Sequence, residues 1–212
     1  MPVALGVDVG LAKGFDAVAI DGTRAITAGE RSASVDELAA LIDEVCPDVI
    51  AIDAPPAWAA GGRSREIERR LLALGIACFP TPAAEHELPL HGWMRAGFAA
   101  FAAAADRGYP LFTGAGGVEH RALEVFPHAT AVILRGSLPA RRTPKPAWRR
   151  PVLEAAGVDT VGLQTLDELD AALAALTGVL ALEGSASWIA AGASALVLPG
   201  EQLPRARFHR DL

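Results

Sequence analysis

Two short apolar runs, each ending at an aspartate, stand out in the pattern of hydrophobic and polar positions. Val3 to Val7 leads into Asp8, and Val49 to Ile52 leads into Asp53. Short runs of this kind, bounded by glycine or proline, are typical of buried parallel strands. Ligands of open α/β sheets bind at the carboxyl ends of such strands. An aspartate after a strand can also serve only to cap a turn, but finding one on both strands favours a functional role.

The residues between these two runs predict a strand meander followed by a crossover helix. Phe15 to Ile20 and Thr23 to Ala28 are strand-like, and the Asp21-Gly22 pair between them is a strong signal for a two-residue hairpin. Ser34 to Glu37 matches a capping box, which predicts that a helix begins there. Because a helix then separates the meander from the strand ending at Asp53, that strand is expected to lie parallel to a strand of the meander.

The rest of the chain predicts further helices and strands. Helices are predicted for Arg63 to Leu74 and Trp93 to Asp106, and strands for Arg121 to Phe126 and Ala195 to Leu198, the last at an edge. We therefore expect a single α/β domain over residues 1–212, with a helical insertion around residues 58–118. Its sheet is expected to be mixed and five-stranded, flanked by helices, with the strands ending at Asp8 and Asp53 side by side.

A second capping box, at Thr165 to Glu168, predicts a long final helix with a stripe of leucines. The stripe comprises Leu166, Leu169, Leu173, Leu176 and Leu180. With this stripe against the sheet, Asp170 borders the core, whereas Asp167 lies further round toward solvent. Complementing the positive end of the helix dipole explains Asp167 well. It explains Asp170 less well, because a carboxylate at the edge of the core needs a partner.

Composition narrows the class of protein. Of the 212 residues, 51% are hydrophobic, which is enough for a substantial core and argues against disorder. The formal net charge of -6 argues against nonspecific coating of nucleic acid but permits an enzyme with a local basic patch. Cys46 and Cys78 show neither metal-ligand spacing nor a disulfide framework. With no signal peptide pattern and no apolar run long enough for a bilayer, a cytoplasmic protein is expected.

Asp8, Asp53 and Asp170 form the candidate catalytic and metal site, with Asp167 or Glu124 as a fourth member. Carboxylates gathered in one crevice repel each other and stay ionised together only when cations lie between them. Oxygen ligands favour Mg²⁺ or Mn²⁺, and the five histidines are too scattered to suggest zinc. Two such ions can activate the attacking water and stabilise the leaving oxygen in hydrolysis at phosphorus.

Basic residues supply the candidates for substrate contact. One cluster comprises Arg141, Arg142, Lys145, Arg149 and Arg150, and Lys13 lies in the loop after the first strand. A solvated basic surface is the simpler interpretation of the cluster, and a patch facing phosphates is the alternative. On that alternative, Lys13, Lys145, Arg149 and Arg150 would bind the substrate backbone. An arginine could also be a structural partner for Glu124, and Arg69 is one such candidate.

The order of the elements resembles the ribonuclease H-like plan, with three hairpin-linked strands, a crossover helix, a strand ending in aspartate and a late acidic helix. The Asp167-x-x-Asp170-Ala171 motif also resembles the last motif of Holliday-junction resolvases. Taken together, the motifs are similar to those of a family of predicted ribonuclease H-like nucleases, domain-of-unknown-function family four-two-nine. They are Gly6-Val7-Asp8, Ile52-Asp53-Ala54-Pro55, Arg63-x-x-Glu66 with Arg69, Phe79-Pro80-x-Pro82, Glu124-Val125-Phe126-Pro127, Lys145 with Arg149 and Arg150, and Asp167-x-x-Asp170-Ala171.

The resemblance covers nearly the whole chain and implies a ribonuclease H-like fold. It further implies a nuclease that uses Mg²⁺ or Mn²⁺ to hydrolyse phosphodiester bonds of a nucleic acid, with DNA and RNA not distinguished. One feature departs from classical ribonuclease H, which has a metal-binding glutamate on its first helix. No residue from Ser34 to Val45 clearly takes that place.

Two other classes of function stay open at the level of sequence. Leu5 to Gly10 also resembles the first strand of the actin and sugar-kinase superfamily, which would make the protein a phosphate- or nucleotide-binding relative. That superfamily normally needs two such domains, and 212 residues hold one. The fold could also serve as a noncatalytic module that binds nucleic acid or a protein partner. Metal-dependent cleavage distinguishes the nuclease from both.

Overall fold

The computed structural model describes residues 1–10 and 14–211, so the predicted substrate contact Lys13 lies outside the described residues. Within them, seven strands form one sheet. The strands are β1 (Val3–Val9), β2 (Phe15–Asp21), β3 (Ile26–Ala33), β4 (Val49–Asp53), β5 (Arg121–Val125), β6 (Ala186–Ala191) and β7 (Ser194–Pro199). The α-helices are α1 (Val35–Val45), α2 (Glu66–Ala73), α3 (Gly92–Ala105), α4 (Pro127–Arg135), α5 (Lys145–Ala155) and α6 (Leu166–Leu182). None of the helices in the described chain has both the length and the apolar character that a membrane span requires.

The strand order of the sheet is β3-β2-β1-β4-β5-β7-β6. The first three strands are antiparallel neighbours, as the predicted meander requires, and β4 lies parallel to β1 on its other side. The parallel half continues through β5 to β7. An antiparallel meander that leads through helical crossovers into parallel strands is the ribonuclease H-like arrangement expected from the sequence. The predicted fold class is therefore confirmed.

The sheet is wider than the predicted five strands, because a hairpin of β6 and β7 follows the last helix. β7 pairs in parallel with β5, while β6 pairs antiparallel with β7 and forms the edge. The predicted strand from Ala195 to Leu198 lies within β7, but it is internal rather than at the edge. β6 escaped prediction because half of its six residues are alanine, which has a low preference for strands.

Both predicted capping boxes are present and fix where their helices begin. The Ser34 hydroxyl accepts a hydrogen bond from the backbone N–H of Glu37 at 3.3 Å, and the Glu37 carboxylate accepts one from the backbone N–H of Ser34 at 2.7 Å. Thr165 and Glu168 make the same exchange at the start of α6. The second box therefore places the two acids of the late motif in the first two turns of α6.

Small residues let α6 lie directly on the sheet. A Cβ atom added to Gly6 of β1 would lie 2.0 Å from the carbonyl oxygen of Ala171 and 2.2 Å from the amide nitrogen of Ala175. Further along the helix, a Cβ atom on Gly178 would lie 2.8 Å from that of Ala4. The opposite face of β1 packs against α1 and α3. The contact at Gly6 thus sets the short distance between β1 and α6, the two elements that carry most of the predicted acids.

Candidate metal centre

The carboxyl ends of β1 and β4 bring two of the predicted aspartates side by side. In the parallel register of these strands, Asp8 stands directly opposite Asp53. Because side chains alternate along a strand, Asp8 lies on the same face as Gly6, the face that α6 covers. Asp170 lies on α6, one residue before the Ala171 carbonyl that Gly6 approaches. The fold therefore brings Asp8, Asp53 and Asp170 to the same edge of the sheet.

A further aspartate, Asp16, joins them from β2. It stands opposite Asp8 in the antiparallel register of β1 and β2, and only 6% of it is exposed. Carboxylate oxygens of Asp8, Asp16 and Asp167 all lie within 4.8 Å of one another, close enough for one metal ion to contact all three. Sequence reasoning missed Asp16, although a hairpin between the first two predicted strands pairs it with Asp8. We call Asp8, Asp16, Asp53, Asp167 and Asp170 the acidic centre.

Asp170 is held by a cation of the chain itself. Its Oδ2 accepts a hydrogen bond from Nη1 of Arg149, a residue of α5 that is 4% exposed. Its Oδ1 is buried and has no hydrogen-bond partner among the described residues. Asp170 is buried and Asp167 is half-buried, in line with the expected rotation of the helix. It is nevertheless Asp167 that belongs to the close group around Asp8, so the direct ligand roles of Asp53 and Asp170 stay predictions.

Burial and mutual repulsion raise the pKa values across the acidic centre. Burial, together with the negative charges of Asp170, Asp167 and Asp16, raises the pKa of Asp8 to about 8. Burial and the neighbouring Asp8 raise the pKa of Asp53 well above its usual range. Burial raises the pKa of Asp170 to about 6 in spite of the opposing charge of Arg149. A divalent cation between these groups would favour their ionised forms and relieve the repulsion.

Glu124, the predicted fourth acid, is engaged by an arginine. Both of its oxygens accept hydrogen bonds from the guanidinium of Arg65, at 3.0 and 2.5 Å. In the β4–β5 register Glu124 stands opposite Ile52, not Asp53, so strand alternation points its side chain to the other face of the sheet. The sequence suggested Arg69 as a structural partner, but Arg69 binds Glu66 instead. The contacts of Glu124 fit the structural role better than the catalytic one, and we leave it out of the proposed metal ligands.

The basic cluster does not form one solvated surface. Arg149 is buried against Asp170, as described above. Arg150 donates hydrogen bonds to the carbonyl oxygens of Thr160 and Leu163, both at 2.6 Å, and so stabilises the loop between α5 and α6. Lys145 is exposed at the start of α5. Of the predicted substrate contacts in the described chain, Lys145 and Arg149 lie at the site, and the contacts of Arg150 favour a structural role.

A cavity of about 500 Å³ opens beside Asp53 at this edge of the sheet. Its walls combine acidic, basic, aromatic and aliphatic side chains, among them Glu124, Lys145, Arg149 and Phe79. The carboxylates and a space of molecular size therefore adjoin one another. Sequence reasoning gave no sign of this cavity, because its walls come from several stretches that lie far apart in the chain.

The mixed sheet, with the acidic centre at the carboxyl ends of β1 and β4, defines a protein of the ribonuclease H-like fold class. Within that class the chain belongs to the DUF429 family, since the family model described as "Protein of unknown function (DUF429)" matches residues 6–194. No curated protein matches the chain significantly. Among solved structures, it is similar to the RuvC structure of Thermus thermophilus, with 17% sequence identity and a TM-score of 0.44. That match covers 86% of this chain and 96% of the other.

Proposed function

We propose that this protein is a metal-dependent nuclease that hydrolyses phosphodiester bonds of a nucleic acid, DNA or RNA. The observation that carries the proposal is the acidic centre itself. Asp16 and Asp167 converge on Asp8, and Asp53 stands opposite it. Gathering so many carboxylates at a half-buried edge costs stability, and cations between them would offset that cost. Oxygen ligands of this kind suit Mg²⁺ or Mn²⁺.

We infer that two ions would share Asp8, although only the first of their two ligand groups is already drawn together. Asp8, Asp16 and Asp167 would hold one ion, since their oxygens are already close together. Asp8, Asp53 and the unpartnered Oδ1 of Asp170 would hold the other. When bound, Mg²⁺ or Mn²⁺ would supply an activated water and would stabilise negative charge on the phosphate and the leaving oxygen. Asp8 is thus the residue on which both ions depend.

Two basic side chains have roles of their own in this proposal. Arg149 fixes the Asp170 carboxylate through Oδ2 and leaves Oδ1 available to an ion. Lys145 is exposed, and its positive charge opposes the burial that raises the pKa of Asp170. Both cations would attract a phosphate group toward the carboxylates. The substrate backbone would therefore approach along the start of α5.

A panel of end-labelled oligonucleotides tests the proposal. Single-stranded DNA and RNA, their duplexes, a hybrid and a branched junction would each be incubated with Mg²⁺, with Mn²⁺ or with EDTA. We expect cleavage of at least one substrate with metal and none with EDTA. Asp8→Asn should abolish that cleavage, while Glu44→Gln, which changes an exposed acid of α1, should leave it intact. Absence of cleavage across the whole panel, or full activity of Asp8→Asn, would refute the nuclease proposal.

A further inference from the structure

We propose that the cavity beside Asp53 receives one unpaired nucleotide of the substrate, with its base inside the cavity. This inference rests on the proposed nuclease function and names its substrate class: a strand that is single or locally unpaired at the site of cleavage. The cavity has a volume of about 500 Å³. Small-molecule sites span about 300–1,000 Å³, so this space suits a ligand of nucleotide size and excludes an intact duplex.

The cationic side chain of Arg149 forms part of one wall of the cavity. Arg149 lines the cavity and is 4% exposed, yet its Nε–H group has no hydrogen-bond partner among the described residues. A buried N–H group without an acceptor is unfavourable, and more so when the group is charged. A phosphate oxygen in the cavity would accept hydrogen bonds from the guanidinium group of Arg149, in the charge-assisted geometry that such groups favour. Lys145 lines the same cavity and adds a second positive charge.

Aromatic side chains supply the surface for a base. Phe79 is 69% exposed although it is a large apolar residue, and its ring centroid lies 6.4 Å from that of Trp93. Both residues line the cavity, as do Phe126 and His128, whose ring centroids are 5.8 Å apart. Stacking on an aromatic ring stabilises a bound base and works for every base, because every base has a π-face. Aromatic rings beside a phosphate-binding guanidinium are thus the features that recognise an unpaired nucleotide.

The position of the cavity connects this nucleotide to the chemistry. Asp53 lines the cavity, and Arg149, which would take the phosphate, binds Asp170. A nucleotide whose phosphate meets Arg149 therefore places a phosphodiester group next to the acidic centre. A base still stacked in a duplex cannot enter, so unpairing becomes a condition for cleavage at this position.

Binding of short oligonucleotides to the full chain in EDTA tests the inference without cleavage. The probes are pentanucleotides, deoxyribo and ribo, each with 2-aminopurine at the centre and followed by its fluorescence. Matching probes with an abasic centre, and probes annealed to a complement, complete the set. We expect Phe79→Ala to weaken binding of the single strand about tenfold, because one stack is lost. The matched control is Leu72→Ala, since Leu72 is 58% exposed on α2 and does not line the cavity.

Comparing normal and abasic probes on both the wild type and Phe79→Ala tests whether the protein binds the base itself. The abasic centre should weaken binding to the wild-type protein by a similar factor, and Phe79→Ala should then cause little further loss. Lys145→Ala should weaken binding of normal and abasic probes equally, because it acts on the phosphate. Equal binding of normal and abasic probes, unchanged binding by Phe79→Ala, or no binding by the wild type would overturn the inference.

The failure of this inference differs from a failure of the nuclease proposal. If the panel shows cleavage but the pentanucleotides bind without regard to the base, the cavity assignment fails and the nuclease stands. If base-dependent binding occurs but no substrate is cleaved, the cavity assignment stands and the nuclease fails. Preference for the ribo or the deoxyribo probe would tell which nucleic acid the cavity accepts.

Discussion

Asp16→Asn should reduce metal-dependent cleavage by more than about 100-fold, although no sequence motif pointed to this residue. Asp16 pairs with Asp8 across β1 and β2, and both belong to the close group that Asp167 completes. Loss of an outer-sphere partner typically costs about 10–100-fold in activity or metal affinity, so loss of a direct ligand should exceed that range. The measurement is the cleavage rate on the substrate that the panel identifies, with folding checked by circular dichroism.

The same geometry changes the expectation for Asp167. The sequence left Asp167 either as an outer residue or as a further metal ligand, whereas its closeness to Asp8 and Asp16 favours the role of direct ligand. Asp167→Asn should therefore be impaired to a similar degree as Asp16→Asn. Glu44→Gln is again the control. Loss of less than about tenfold in Asp16→Asn would remove this residue from the metal ligands.

Without metal, the wild-type protein should become less stable between about pH 7 and about pH 9. A carboxyl whose pKa is higher in the folded chain binds its proton more tightly in that state than in the unfolded chain. Its contribution to the free energy of unfolding is therefore largest below the unfolded pKa, near 4. That contribution is lost as the pH rises through the folded pKa, which for Asp8 is about 8. The loss is about 1 kcal/mol over this range, or about 2–4 °C in Tm for a domain of this size.

Thermal unfolding in EDTA at the two pH values measures this loss, and Asp8→Asn should remove much of it. His128 does not contribute to this change. Burial and the charge of Arg149 lower its pKa to about 4 in the folded chain, so the protonation of His128 differs between the folded and unfolded chains only below about pH 7. Glu44→Gln should keep the wild-type slope. An equal slope in Asp8→Asn and the wild type would show that Asp8 does not titrate as the structure implies.

The sequence was sufficient for the elements that carry a local signal. Two apolar runs ending in Asp8 and Asp53 identified adjacent parallel strands, and the capping boxes at Ser34 and Thr165 identified where α1 and α6 begin. These features depend on a few neighbouring residues, so they can be recognised without the rest of the fold. The β6 strand has no such signal, because its alanines favour a helix over a strand.

The parts of the site that escaped prediction depend on register and on packing between distant elements. An offset of one residue between β4 and β5 places Glu124 opposite Ile52 instead of Asp53, and Glu124 pairs with Arg65. The burial of Arg149 depends on how α5 packs against α6, which nothing within residues 141–150 specifies. Asp16 required the pairing of two strands, and not only their recognition. Each of these is a tertiary relation, whereas the sequence patterns report local ones.

Binding of Mn²⁺ to the wild-type protein and to Asp8→Asn tests the role of the acidic centre most directly. The spectrum of free Mn²⁺, followed by electron paramagnetic resonance during titration at about pH 8, gives the number of bound ions and their affinity. Asp8 belongs to both proposed ligand groups, so we expect the wild type to bind Mn²⁺ and Asp8→Asn to lose most of that binding, while Glu44→Gln keeps it. Binding of Mn²⁺ by Asp8→Asn with the number and affinity of the wild type would contradict a metal centre at Asp8.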